Sequence, residues 1–278
     1  MEIIDGRKFK NEILDELKVQ IKQCMIKPCL AVIQIGDDSA SNTYIKAKEK
    51  ACNDVGIYFK YIKFDDKVKE IEVINKIIEL NNDDYVNGIL IQLPLPNRFD
   101  EDKLINYISR NKDVDGLTYT NLGKLFNNKN TLVSCTPQGI IELLKREKID
   151  ISGKNVTIVG RSKLVGKPLI GLLLNEDATV TICHSKTTDL KLHTKKADIL
   201  IVAVGKKHFI KEDMVKDGSI VIDVGINKED GKLYGDVDYE NVAKIASKIT
   251  PVPGGVGPMT VAMLMCNVFK AYKNQQKG

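Results

Sequence analysis

Histidine and paired cysteine, from which many metal centres are built, are nearly missing from this chain. Its 278 residues hold three histidines and six cysteines (Cys24, Cys29, Cys52, Cys135, Cys183 and Cys266), with no C-x-x-C pair and no histidine at zinc-site spacing from a cysteine. No metal is implied. Several of the cysteines sit inside apolar runs, the pattern of reduced, mostly buried thiols in a cytosolic setting. A dense basic tract with interleaved aromatics is also missing, and the net charge is only +5, from 42 Lys+Arg against 37 Asp+Glu. That argues against a nucleic-acid partner. No apolar run reaches membrane-spanning length, and the opening M-E-I-I-D-G-R lacks the marks of a signal peptide. A membrane partner is therefore not expected, and a cytoplasmic location is. Internal repeats and low-complexity segments do not occur. What the chain does have is 43% hydrophobic residues, enough for a sizeable core in one large domain or two of ordinary size.

The stretch K-N-V-T-I-V-G-R-S-K-L-V-G-K-P at residues 154–168 organises the second half. Residues 155–159 form an apolar, β-branched run without Gly or Pro, which predicts a buried strand. Gly160 stops it, and Gly166 and Pro168 open a helix through Leu169, Leu172, Leu173 and Leu174. A strand, a glycine-bearing turn and a helix start make a cradle for a dinucleotide pyrophosphate, because free backbone N–H groups and the helix dipole face the anion. The match to G-x-G-x-x-G is imperfect, since Arg161 and Ser162 stand where a second glycine belongs. On these residues alone a plain strand-to-helix turn is an equal reading. Further strands are predicted at residues 179–183, 198–204 and 219–224 with helix-compatible stretches between, the βαβ alternation of a parallel sheet covered on both faces. An NAD-selective site carries Asp or Glu after the second strand, for the ribose 2′-OH. Here that position is C-H-S-K-T (183–187), with no carboxylate. Arg161 and Ser185 suit a 2′-phosphate instead, so the expected cofactor is NADP.

The first half is α/β as well. Helices are predicted over residues 8–24, 41–55, 69–80 and 102–109, and strands over 30–35, 57–64 and 88–93, the last ended by Pro94 and Pro96. A polar break at residues 127–130 precedes a helix over 136–147 with Pro137 in its first turn, and the domain seam is placed near this helix. A turn-rich segment (225–238), the loop P-V-P-G-G-V-G-P (251–258) and a last helix from about Met259 follow.

Four features could carry chemistry. Tyr44 and Lys48 are four apart on one helix face, and a sufficiently desolvated lysine can act as acid, base or electrostatic stabiliser. Lys46 and Lys50 flank it, so a solvated cationic face is the plainer reading. Gln92 stands at a strand's C-terminal end, where α/β proteins place their clefts, though an ordinary strand-end glutamine is the plainer reading. Asp113 and Asp115 alternate in K-D-V-D-G-L, so one can meet a ring N–H edge while the other caps locally, or both can be solvated turn residues. The prolines of 251–258 stiffen that loop and its glycines let backbone approach a ligand, which favours a shaped binding loop over a flexible linker.

Taken together and in order, Tyr44-x-x-x-Lys48, G-I-L-I-Q-L-P-L-P (88–96), K-D-V-D-G (112–116), C-T-P-Q-G (135–139), G-R-S-K-L-V-G-K-P (160–168), C-H-S-K-T (183–187), D-V-G-I-N (223–227) and P-V-P-G-G-V-G-P-M-T (251–260) resemble the bifunctional methylenetetrahydrofolate dehydrogenase/methenyltetrahydrofolate cyclohydrolase family. The resemblance implies an α/β fold of two domains with a cleft between them. One is an N-terminal folate-binding catalytic domain over 1–137, joined by the C-terminal helix 259–278. The other is a Rossmann-like NADP-binding domain with a parallel sheet over 138–258, through which the chain forms a homodimer. It also implies tetrahydrofolate derivatives as substrates and a place in one-carbon metabolism and purine biosynthesis. On the same grounds Lys48 is the catalytic lysine, Gln92 its partner, Asp115 the folate-binding aspartate and Tyr44 the ring that packs on the pterin. Gly160, Arg161, Ser162, Ser185 and Ile226 fall at cofactor positions, and Pro253, Gly254 and Gly255 at substrate positions. The competing readings are another two-domain NADP-dependent oxidoreductase acting on a small acid, and a cofactor-binding regulator without catalysis.

Overall fold

The computed structural model describes residues 1–276, the side chain of residue 40 excepted. Along the chain run β1 (Glu2–Ile3), α1 (Gly6–Lys22), β2 (Cys29–Ile35), α2 (Ser39–Val55), β3 (Tyr58–Phe64), α3 (Glu70–Asn82), β4 (Gly88–Ile91), α4 (Glu101–Asn106), α5 (Tyr119–Phe126) and α6 (Cys135–Arg146). There follow β5 (Asn155–Val159), α7 (Gly166–Asn175), β6 (Thr179–Cys183), α8 (Leu190–Thr194), β7 (Ile199–Val202), β8 (Ile220–Asp223), β9 (Asn227–Glu229), β10 (Lys232–Tyr234), α9 (Tyr239–Val242), β11 (Lys248–Ile249) and α10 (Val256–Gln275). The chain divides into two compact units: Met1–Lys10 with Thr136–Thr260, and Asn11–Cys135 with the chain from Val261 on.

The unit holding Asn11–Cys135 is built on a parallel sheet of order β3-β2-β4. β2 is apolar but for the buried Gln34 because it is covered on both faces: Leu30, Ala31, Val32 and Ile33 are fully buried. Val73, Ile77 and Leu80 of α3 pack onto it with Ile89, Ile91 and Leu104, each large side chain contributing roughly 1.5–3 kcal/mol relative to exposure. Since β3 and β4 lie on opposite sides of β2, the strand order reverses there. Their carboxyl ends frame the kind of crevice in which α/β proteins seat ligands.

The other unit carries a parallel sheet of order β1-β11-β8-β7-β5-β6. Here β5 is the switch strand, with β6 on one side and β7 on the other. Val159, Leu200, Val202, Val221 and Ile249 form its core with α9 residues.

Several expectations need correction. The N-terminal domain was expected to begin at residue 1, but Met1–Lys10 cluster with the other unit. The cause is β1, which pairs with β11 (Glu2↔Lys248, Ile3↔Ile249), an edge reinforced by Lys248 ion pairs to Glu2 and Glu147, each 2.7 Å. The turn-rich segment 225–238, in which no strand was predicted, holds the β9–β10 hairpin. The last helix begins at Val256 rather than near Met259, so the end of the P-V-P-G-G-V-G-P loop is already its first turn. Residues 277 and 278 of the expected 259–278 helix lie outside the described residues.

Candidate functional site

α2 is started by Asp38, whose carboxylate accepts the Ser41 N–H at 2.7 Å, and stopped by Gly56 in a left-handed conformation. Of its three lysines, Lys46 and Lys50 are exposed and Lys48 is half-buried. The solvated-face reading therefore holds for the two neighbours and fails for Lys48. Its Nζ donates to Gln92 Oε1 at 2.8 Å. Gln92 follows β4 directly and is 7% exposed. Its backbone N–H extends the ladder to Ile33 O (2.8 Å), and its Nε2 donates to Leu93 O (2.6 Å). With the amide nitrogen so engaged, the amide oxygen is held toward Lys48.

Asp115 supplies the opposing charge. Burial pushes its carboxyl above the usual range while the Lys48 charge pulls it back; burial lowers Lys48 while Asp115 pulls it up. In both, desolvation wins. Cys52 and Cys135 lie in the same surroundings, and burial raises both thiols, Cys52 to about 12. Both remain protonated near neutral pH, which leaves Asp115 as the compensating anion. Asp113, two residues earlier, does something else. Its carboxylate accepts Leu117 N–H (3.2 Å), Thr118 N–H (2.9 Å) and Asn121 Nδ2 (2.8 Å), so it pins the loop to α5. Asn267 of α10 steadies the same loop, donating to Val114 O (2.9 Å) and Val133 O (2.8 Å). Tyr44, one turn before Lys48, is 49% exposed, which leaves a ring face open to a flat ligand. A buried amine with depressed basicity, a fixed amide and a carboxylate with raised affinity for protons can move a proton at a bound substrate.

A second site stands at the switch strand of the other sheet. A cavity of about 310 Å³ is lined by Gly160, Arg161, Ser162, His184, Ser185 and Lys206, among others. Gly160 has φ +126°, and a Cβ there would sit 2.1 Å from Ala203 O. A Cβ on Gly166 would meet Gly160 O at 2.1 Å, so both glycines let strand, turn and helix start close together. Ser162 Oγ accepts the Val165 and Gly166 N–H groups (3.1 and 3.4 Å) and so ties the turn to the start of α7. The turn after β6 is set by His184, whose N–H donates to Thr187 Oγ1 (2.8 Å) and whose Nδ1 accepts from Lys186 N–H (3.1 Å). Ser185 is left exposed on it. This donor set fits a phosphorylated dinucleotide. Ile226, Pro253, Gly254 and Gly255 line a separate cavity of about 120 Å³ with Arg7, so Ile226 is not in the cavity of Gly160, Arg161, Ser162 and Ser185. Lys206 and Asn267 lie outside every motif read from the sequence.

Comparison with known families decides what this pair of sites belongs to. The catalytic-domain model of tetrahydrofolate dehydrogenase/cyclohydrolase matches residues 4–115, and the NAD(P)-binding-domain model of the same family matches residues 134–276. The chain belongs to the tetrahydrofolate dehydrogenase/cyclohydrolase family. A family member from Nautilia profundicola, the bifunctional protein FolD, is 51% identical over 100% of this chain and 99% of its own. Among solved structures, the bifunctional FolD methylenetetrahydrofolate dehydrogenase/cyclohydrolase of Campylobacter jejuni superposes with a TM-score of 0.97 at 46% identity, covering 99% of both chains. The Trypanosoma brucei methylenetetrahydrofolate dehydrogenase-cyclohydrolase, solved with NADP and an inhibitor, superposes with a TM-score of 0.94 at 34% identity, covering 99% of this chain and 98% of its own. Within the family frame, Lys48, Gln92 and Asp115 lie in the stretch matched as catalytic domain, and the 310 Å³ cavity in the stretch matched as NAD(P)-binding.

Proposed function

We propose that this chain oxidises 5,10-methylenetetrahydrofolate to 5,10-methenyltetrahydrofolate with NADP and hydrolyses that product to 10-formyltetrahydrofolate. The observation that carries the reading is the 2.8 Å bond from Lys48 Nζ to the pinned Gln92 amide, with Asp115 as the compensating charge, in a chain of this family. NADP, when bound, supplies the hydride acceptor at C4 of its nicotinamide. The chain's contribution to that step is alignment of the two reactants, which can supply about 7–11 kcal/mol at best. Tyr44 offers a ring to stack on the pterin, and Asp115 accepts from the N–H edge of the same ring system. Arg161 and Ser185 hold the 2′-phosphate, Gly160 and Ser162 shape the turn under the pyrophosphate, and Ile226 and residues 253–255 shape the wall of the smaller cavity.

In the hydrolysis, water adds to the cationic methenyl carbon and gives up a proton, and Lys48 accepts it. The depressed basicity of a buried amine makes its neutral form available for this at lower pH than in water. Opening of the adduct breaks the carbon–N5 bond as the hydroxyl proton is replaced by one on N5, so one proton in all leaves to solvent. Lys48→Met should lower cyclohydrolase turnover by about 10²–10⁴-fold, the usual loss for one well-placed acid–base group. Near-normal hydrolysis of methenyltetrahydrofolate by that variant would end the assignment.

The same reading carries a cytoplasmic setting, a homodimer joined through the NADP-binding domain, and a place in one-carbon metabolism ahead of purine biosynthesis. All six cysteines are free thiols, which supports the first. The mass of the native protein in solution tests the second.

A further inference from the structure

The loop after β7 is held in a way that the reaction as described does not use. Three successive backbone N–H groups, those of Val204, Gly205 and Lys206, donate to one carboxylate, Asp236, at 2.6, 2.9 and 2.8 Å. Asn227 Nδ2 donates to it as well, at 2.9 Å, and Asp236 has no exposure to solvent. Asp236 is itself fixed by Asp223 at the end of β8, which accepts its N–H at 2.9 Å together with those of Gly225 (3.0 Å) and Val237 (2.9 Å). The carboxylates press on glycines. A Cβ on Gly225 would lie 2.3 Å from the Asp236 carboxyl, and one on Gly235 would lie 1.8 Å from Asp223 Oδ2. Asp236 lines neither the 310 Å³ nor the 120 Å³ cavity, so its effect is exerted through what it holds.

What it holds is the wall of the 310 Å³ cavity, where Val204 and Lys206 are lining residues. Four other lysines of this unit pair with carboxylates: Lys191 with Asp213 (2.7 Å), Lys216 with Asp198 (2.6 Å), Lys211 with Asp238 (3.4 Å) and Lys207 with Glu229. Among the described residues Lys206 has no carboxylate partner. Its Nζ lies 5.7 Å from the Phe209 ring centroid, and no acidic residue lines the cavity. A rigid backbone thus presents an unpaired ammonium to a cavity that already carries the Arg161 guanidinium. We propose that Lys206 binds a phosphate of the dinucleotide and that Asp236 is its positioning residue, holding residues 204–206 by their amides. This rests on the reading of the cavity as the NADP site.

The test uses the full chain, with 5,10-methylenetetrahydrofolate and either NADP or NAD, and with methenyltetrahydrofolate alone as the dinucleotide-independent control. Lys206→Met should raise KM for NADP about fivefold or more, leave kcat within about twofold and leave hydrolysis of the methenyl substrate unchanged, and Lys206→Arg should restore most of the loss. A rise for NADP alone places the contact on the 2′-phosphate, and an equal rise for NAD places it on the pyrophosphate. Both support the proposal, and no rise with either cofactor overturns it. Asp236→Asn should raise the same KM, and adding Lys206→Met to it should cost little more; full additivity overturns the positioning role. If Asp236→Asn does not fold, Asn227→Ala loosens the same carboxylate and should give a smaller rise, its absence counting against Asp236. Arg161→Ala separates the layers. If it too leaves both KM values unchanged, the cavity is not the NADP site; if it raises KM for NADP while Lys206→Met does not, only the present proposal fails.

Discussion

Burial sets Lys48 and Asp115 against their own charges, and each relieves part of the other's cost. A lone buried ammonium would shed its proton and a lone buried carboxylate would take one up; together they keep a proton within reach of both. Arg161 works differently, because it is exposed and offers a planar fork of N–H donors that matches a phosphate. Arg161→Ala should therefore weaken NADP by about tenfold or more and NAD far less, as read from the two KM values. Equal losses would contradict contact with the 2′-phosphate. Sequence could nominate Lys48 and Gln92 but not choose them, because inward and outward lysines of one helix differ only in what packs over them. The two aspartates of K-D-V-D-G were harder still. Asp113 is the structural one because the amides of residues 117 and 118 turn toward it, and that turn is irregular backbone with no period to read.

At the scale of elements, β5, its turn and α7 stand where the apolar run and the two glycines put them. The strand followed by Gln92 was equally plain, since an apolar run closed by prolines has one reading. What escaped was short. β1 and β11 are two residues each, too brief for alternation, and they become strands only because the neighbouring edge offers partners. The helix start at Val256 hid behind prolines and glycines that look like loop. Gly160→Ala tests the turn directly. The new methyl must displace Ala203 O in a conformation that costs a non-glycine residue about 1–3 kcal/mol. KM for NADP should rise by about tenfold or more and the melting temperature should fall, while an unchanged KM would show that the turn does not carry the dinucleotide.

For the whole molecule, Asp223 ties stability to pH. Burial pushes its carboxyl up to about 6, against about 3.9 in an unfolded chain. Below about pH 4 it is protonated in both states. Between about pH 4 and 6 the unfolded chain ionises first, so stability falls as pH rises, and above about pH 6 the penalty is constant at about 3 kcal/mol. Asp223→Asn has no such group. The unfolding free energy of wild type minus that of the variant, measured with denaturant, should therefore drop between about pH 4 and pH 7 and stay level beyond. A difference that is flat across that window would show that Asp223 is not held in the protonated form.

The threading of the chain also bears on how it is made. Each unit draws on two separate stretches of polypeptide, and the later stretch is needed: Asn267 binds the carbonyls of Val114 and Val133, and Gln275 binds those of Asn87 and Asn111. A ribosome releasing residues in order cannot finish the first-emerging catalytic half before its last helix appears, and no single proteolytic cut yields either half intact. Placing the two units on independent polypeptides therefore calls for rejoining the chain in a new order.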